Sequence, residues 1–286
     1  LQSLTKVMSV SPFMTFFFLS IFLLFKTIKE NTRNNYFPLL FTGLVLGISI
    51  LTRPIAVFVP FIFVFIYLIF LYRKIKYKSL INSSLILVGT LMIVLPWQLY
   101  NRANDQKILI AANDVKSIIH GVSFNNSPLK EKIDLDHDVN KLAIRLSESH
   151  IHKRTEFFML LKEEFKKNPK SVIELFLIKA ARSWYGTFSQ NHKKEMIKLA
   201  ISLFFIILTI PGFIQYSKHF QKYKLLIITF LLITTYFWLM TIMVASIVRH
   251  MIPVFGLMCL FIPGIFLLHK NNPNHFILNK KSQSKN

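Results

Sequence analysis

The sequence predicts an all-α polytopic membrane protein of about seven transmembrane helices, with a helical extramembrane module between the fourth and the fifth. Three observations carry that reading. Apolar residues fall in blocks of roughly 16–24, long enough to cross a hydrocarbon core of about 30 Å at about 1.5 Å per residue. Phenylalanine supplies 29 of the 286 residues, a usage suited to lipid-facing helices. Acidic residues are nearly confined to one stretch: of 13 Asp and Glu, all but Glu30 lie between Asp105 and Glu195. Bulk composition alone decides less, since the chain is 53% hydrophobic with a mean hydropathy of +0.46, against about 45–50% apolar residues in average soluble domains.

Taken in order, the apolar segments run approximately over 9–26, 37–52, 55–72, 80–98, 196–216, 225–248 and 251–268. The second breaks at Thr52-Arg53-Pro54, and Pro54, with its fixed φ and missing N–H, is placed to start the next helix after a tight hairpin. Gly43 and Gly47 form a GxxxG face in that second helix, which permits close helix packing. The chain therefore divides into a membrane part at 1–98, an extramembrane module at 99–195, a second membrane part at 196–270 and a basic tail at 271–286.

The formal charge of +22 raises nucleic acid as a partner. Its distribution argues instead for short basic loops obeying the positive-inside rule, so membrane lipids are the expected partners and nucleic acid is not. Lys26, Lys29 and Arg33 follow the first segment, and Arg73, Lys74, Lys76 and Lys78 the third. Lys218, Lys222 and Lys224 follow the fifth, and Lys270, Lys280, Lys281 and Lys285 fill the tail. These four regions alternate with the others and are expected to be cytoplasmic. The Arg53-Pro54 hairpin, the 99–195 module and the Arg249-His250 hairpin then share the outer side of a plasma membrane. This orientation puts Leu1 outside. Together with the missing initiator Met, it suggests that the sequence is N-terminally incomplete. Cys259, alone in an apolar run, offers no disulfide or cysteine zinc site.

Within the module, Asp138 to Ser149 and Lys153 to Lys167 read as polar or amphipathic helices, the second ended by Asn168-Pro169. Ser171 is a candidate cap for the next helix, in which Ile173, Phe176, Leu177, Ala180, Ala181 and Trp184 make an apolar face with Lys179 and Arg182 beside it. Such a helix lies in the membrane interface or packs on the bundle, and both readings stand at this level.

The apolar segments contain no acidic residue, so no intramembrane proton relay is visible. The candidate chemistry is cationic. Arg53, Arg102, Lys179, Arg182, Arg249 and His250 all fall at or near the outer side, and an arginine fork pairs bidentately with phosphate without titrating. Several such groups at a low-dielectric interface would bind a lipid phosphate and stabilise it as it leaves. The plain alternative is that terminal arginines snorkel to headgroups. Trp97 and Trp184 suit interfacial anchoring or the stacking of a sugar ring. Asp134, Asp136, His137 and Asp138 have the composition of a divalent-metal cluster, but adjacent acids at a helix start more often cap it. No metal is assigned and no cofactor is expected. His150 and His152 read as solvated surface. No Gly-rich phosphate loop is present, so a nucleotide site is unsupported.

The run Gly43-Leu-Val-Leu-Gly47-Ile-Ser-Ile-Leu-Thr52-Arg53-Pro54 resembles the G-x-x-x-G-x-x-x-L-T-R-P helix end of membrane glycosyltransferases with the GT-C fold, in the protein O-mannosyltransferase and lipid A aminoarabinose-transferase-like group. Pro96-Trp97-Gln98-Leu99-Tyr100-Asn101-Arg102 resembles that group's P-W-x-x-R-N segment with the Arg-Asn order altered. Arg249-His250-Met251-Ile252-Pro253 resembles its R-Y-x-x-P hairpin, with His in the Tyr position. Ala112-Asn113 through Asn125-Asn126-Ser127-Pro128 is similar to an outer-loop N-G…G-N-N-P pattern.

The resemblance implies an inverting enzyme that moves a sugar from a polyprenyl-phosphate-linked donor to a lipid, glycan or protein acceptor on the outer face. Arg53 and Arg249 are then the leading phosphate contacts. It also implies a catalytic carboxylate in the first outer loop, which would lie upstream of Leu1, so the catalytic base is unassigned in this sequence. Two other classes compete. One is a non-catalytic lipid-linked glycan flippase, transporter or assembly subunit. The other is a glycan polymerase or ligase.

Overall fold

The computed structural model describes residues 10–30, 36–75, 77–104, 138–148, 154–187, 192–243 and 246–265. Among them it contains ten α-helices and no strand. In chain order these are α1 (Val10–Glu30), α2 (Tyr36–Thr52), α3 (Val59–Ile75), α4 (Tyr77–Ala103), α5 (Asp138–Glu148), α6 (Arg154–Lys167), α7 (Pro169–Arg182), α8 (His192–Lys218), α9 (Phe220–Met243) and α10 (Ile252–Cys259). Two 3-10 turns, Pro54–Ala56 and Val248–His250, precede α3 and α10.

Of the seven expected segments, five become helices long and apolar enough to cross a membrane: α1, Pro54–Tyr72, α4, α8 and α9. The second, α2, is apolar but has 17 residues. The seventh forms an eight-residue helix, α10, followed by turns through Pro263. A proline cannot donate to a preceding carbonyl, which favours an early end there. Helix α4 instead runs through Pro96 to Ala103, so the Pro-Trp segment lies inside a helix.

The main core is the shared interior of the membrane helices. Phe13, Phe17 and Leu24 of α1 meet Leu46 and Ile50 of α2, Phe63, Ile66 and Tyr67 of α3 and Phe237 of α9, with Leu257 of α10 completing it. The outward faces carry Phe22, Phe61, Phe204, Ile207 and Leu239, all exposed. Helices apolar on both faces are stable where the surrounding solvent is hydrocarbon.

The GxxxG face of α2 packs against the backbone of α4. A Cβ on Gly43 would fall 2.3 Å from the Ile86 carbonyl oxygen, and one on Gly89 2.3 Å from that of Leu40. The close approach lets the Thr90 hydroxyl donate to the Gly43 carbonyl at 3.2 Å. Small residues here exchange side-chain volume for backbone proximity.

Helices α5 to α7 build a second, smaller core from Val139, Leu142, Ala143, Leu146, Phe157, Val172 and Leu175. Arg145 pairs with Glu164 at 3.1 Å across it. The α5 and α6 boundaries match the sequence reading to within a residue. The cap of α7 does not: Asn168 is the N-cap, its side-chain oxygen accepting from the Ser171 N–H at 3.2 Å with Pro169 in the first turn. Asn precedes Pro here with φ −144° and ψ 82°, outside the helical region, which frees its side chain to reach over the first turn. The side of α7 turned to the protein is not its apolar face, for which lying in the interface and packing on the bundle both stood as readings. It consists of Ser171, Val172, Leu175, Lys179 and Arg182, while Ile173, Leu177 and Ala181 are exposed.

Candidate functional site

Helix α2 ends in a turn whose geometry follows from one residue pair. Arg53 precedes Pro54, and the proline ring disfavours helical backbone at the residue before it. Arg53 accordingly has φ −146° and ψ 104°, although its N–H still closes on the Ser49 carbonyl at 3.0 Å. That swing turns the guanidinium inward. Arg53 is 6% exposed, its Nη1 donates to the Arg249 carbonyl oxygen at 3.0 Å, and its Cζ lies 5.6 Å from the Phe13 ring centroid. Its Nη2 is buried with no hydrogen-bond partner. Burial, reinforced by the nearby Arg249 charge, pushes the guanidinium below its ordinary range, and no carboxylate offsets either effect among the described residues.

Tyr236 of α9 pins the turn from the other side. Its hydroxyl donates to the Ile55 carbonyl and accepts from the Phe58 N–H at 3.2 Å. One phenol thus satisfies two backbone groups that Pro54 and the short 3-10 turn leave without helical partners.

Arg249 and His250 lie half-buried in the Val248–His250 turn, and a backbone contact ties that turn to the end of α7. The Val248 N–H donates to the Gly186 carbonyl at 3.0 Å, and the Gly186 N–H to the Arg182 carbonyl at 2.6 Å. Only glycine permits this approach, since a Cβ at 186 would fall 2.3 Å from the Ser246 carbonyl oxygen. Arg53, Arg249 and the end of α7 are therefore parts of one junction, at one end of the bundle.

Other candidates occupy distinct environments. Arg182 is committed to an ion pair: its Nη2 lies 2.6 Å from Glu195 Oε1, which also accepts from the Thr187 N–H at 2.9 Å and the Thr187 hydroxyl at 3.2 Å. Burial lowers the Arg182 pKa and Glu195 opposes that shift. Lys179 is 1% exposed; its ammonium sits over the Phe176 ring at 5.6 Å, and burial brings its pKa down to about 8. Trp184 packs edge-on against Phe255, ring centroids 6.0 Å apart, and its carbonyl accepts from the Ser202 hydroxyl. Trp97 and Arg102 are exposed on the last turns of α4, where Trp97 stacks on Tyr100. Gln98 nearby lines a crevice of ≈ 230 Å³ with Ile50, Val57, Phe58 and Thr90. Among the described residues no hydrogen bond or ion pair joins Arg102 to the junction.

Of the acidic quartet, Asp138 lies within the described residues. It opens α5, where it accepts from the Asn168 side chain at 3.0 Å. Asp134, Asp136 and His137 lie outside them, as do His150, His152, the Ala112–Pro128 stretch and the tail. Two residues with no role assigned from the sequence have structural duties, Tyr236 and Glu195, and Gly186 at the end of α7 has a third. The adjacent polar residues Thr234, Thr235 and Tyr236 inside the apolar run of α9 are the available signal for the first.

Ten helices among the described residues, five of them long and apolar enough to cross a membrane, define the class: an all-α polytopic integral membrane protein, here with two arginines at one junction of the bundle. Within that class, residues 3–109, from before α1 through α4, match the family of dolichyl-phosphate-mannose-protein mannosyltransferases. The match supports a membrane glycosyltransferase of the mannosyltransferase kind and includes the Arg53-Pro54 turn. No curated protein and no solved structure matches the chain.

Proposed function

We propose that the protein transfers a sugar from a polyprenyl-phosphate-linked donor to a hydroxyl-bearing acceptor on the outer face of the membrane, with Arg53 and Arg249 receiving the donor phosphate. The observation that carries this reading is the Arg53 guanidinium, buried beside a second arginine with Nη2 lacking a partner. A cation in that setting gains most from a di-anionic or mono-anionic phosphate oxygen, because charge-assisted hydrogen bonds strengthen as water is excluded.

In the reaction, the acceptor oxygen bonds to the sugar C1 while the bond from C1 to the phosphate oxygen breaks. The electron pair leaves on the phosphate, whose growing charge Arg53 and Arg249 stabilise. The hydroxyl proton passes to a carboxylate base, as the family resemblance implies. His250 stands beside this pair. Arg182, already neutralised by Glu195, serves to hold the end of α7, and Lys179 is set in the α7 interior. Trp97, exposed, is the aromatic face open to a sugar or acceptor.

The test is transfer from a radiolabelled polyprenyl-phosphate sugar by the protein in proteoliposomes. Arg53→Ala should lower transfer by roughly 10²–10³, the loss typical of removing a transition-state charge partner, with insertion and helix content unchanged. Transfer at the parent rate in Arg53→Ala would overturn the assignment.

A further inference from the structure

Helix α6 presents an outward face of unusual make-up. Leu160 and Leu161 are half-buried and Phe157 and Glu164 buried on the side turned to α5 and α7. The opposite side carries Phe158, Met159 and Phe165, exposed by 45%, 59% and 48%. Lys162 and Lys166, both exposed, fall between them, because positions three, four and seven apart share one helical stripe. Helix α7 continues the pattern with exposed Ile173 and Leu177 beside exposed Lys170.

This surface lies close to the membrane helices by covalent and hydrogen-bonded connection. The Trp238 indole N–H of α9 donates to the Ala180 carbonyl at 3.0 Å, and α8, a membrane-length helix, begins at His192. A 14-residue helix such as α7 is only about 21 Å long. The α6–α7 pair is thus held within about one helix length of the bundle's end.

We propose that the outward faces of α6 and α7 are a membrane-docking surface, which inserts Phe158, Met159, Phe165, Ile173 and Leu177 among the lipids of the leaflet next to the Arg53 junction. Lys162, Lys166 and Lys170 reach the lipid phosphates. Charge complementarity commits the occupant. Large apolar side chains interleaved with lysines match a layer that is hydrocarbon below and anionic phosphate above, where lysine stems lie along the apolar boundary and the ammonium groups rise from it. A protein groove would require partners for these lysine charges as well as for the rings. The inference does not depend on sugar transfer and stands or falls separately from it.

The experiment uses the whole chain in vesicles of phosphatidylcholine and phosphatidylglycerol, in a Cys259→Ser background because Cys259 is exposed. Nitroxide labels are placed through Phe158→Cys, Phe165→Cys and Leu177→Cys, with Lys167→Cys, exposed on α6 but off that stripe, as the aqueous reference. Accessibility to oxygen and to a water-soluble nickel chelate is read by power saturation. The expected result is a several-fold rise in the oxygen-to-nickel ratio at the three apolar positions over position 167. Equal ratios at all four positions would show a solvated face and overturn the proposal. Protection of the three positions from both reagents would also overturn it, in favour of a second protein surface.

Discussion

The Arg53 guanidinium donates to the backbone carbonyl of Arg249, 196 residues further along the chain, at 3.0 Å. The two arginines thus play unequal structural parts. Arg53 contributes a side-chain donor to the junction, while the contribution of Arg249 to this contact is its main chain.

That asymmetry separates stability from function. Arg53→Ala removes the donor and leaves the Arg249 carbonyl to find another, a loss of about 1–3 kcal/mol for a hydrogen bond to a charged group. Arg249→Ala keeps the carbonyl and the bond. Thermal unfolding in detergent should therefore show a drop for Arg53→Ala, whereas donor-dependent transfer should fall in both. An equal or greater loss of stability in Arg249→Ala would show that its side chain holds the turn.

Tyr236→Phe isolates the second support of the Arg53 turn. It deletes a hydroxyl that both donates to Ile55 and accepts from Phe58, with almost no change in shape. Two backbone groups lose their partner, at a cost of roughly 1–3 kcal/mol for each that stays buried. The variant should unfold at lower temperature and show a raised KM for the lipid donor, because the turn bearing Arg53 is freed. Thermal unfolding and transfer kinetics check the two halves. A lower unfolding temperature with parent KM would limit Tyr236 to stability.

The membrane bundle and the boundaries of the α5–α6 helices were legible in the sequence, since both depend on local signals: apolar runs long enough to span, and helical periodicity closed by Asn168-Pro169. The Arg53 turn was legible for the same reason, as proline fixes the residue before it. Contacts between distant segments were not. Tyr236 meets Ile55 across 181 residues; the polar run Thr234-Thr235-Tyr236 inside α9 hints that its hydroxyl has a partner, but nothing local says which. In α7 the apolar residues suited either the bundle or the membrane interface, and it is Lys179 and Arg182 that are buried while Ile173 and Leu177 face out. Helix composition names a candidate face, but the neighbours decide which face is covered. Here Glu195, supplied by α8, neutralises Arg182, while the Phe176 ring lies against Lys179.

Glu195→Gln should be among the most damaging single changes outside the cationic pair. It leaves Arg182, 8% exposed, without its counter-charge, and removing one partner of a buried ion pair costs about 3–5 kcal/mol. The double variant Arg182→Met/Glu195→Gln should recover a large part of that loss, because neither charge of the pair is then left buried without the other. Thermal unfolding of the two single variants and the double variant gives the coupling. Additive losses would mean that the pair is solvated rather than enclosed.

Lys179 carries the clearest dependence on pH. Burial lowers its pKa to about 8 from an ordinary 10.5, so between these values the unfolded chain holds a proton that the folded chain has released. Stability gains from raising the pH wherever the unfolded state binds more protons. The contribution of Lys179 is therefore most unfavourable below about pH 8, where a charged ammonium stays buried against Phe176, and it improves as the pH rises towards 10.5. Lys179→Met keeps the length and removes the charge. It should exceed the parent in unfolding temperature at pH 7, with the gap closing as the pH rises from about 8 towards 10. Comparing the two proteins at each pH cancels the titration of other groups, so a gap that stays constant across this range would mean that the ammonium is not paying a burial cost.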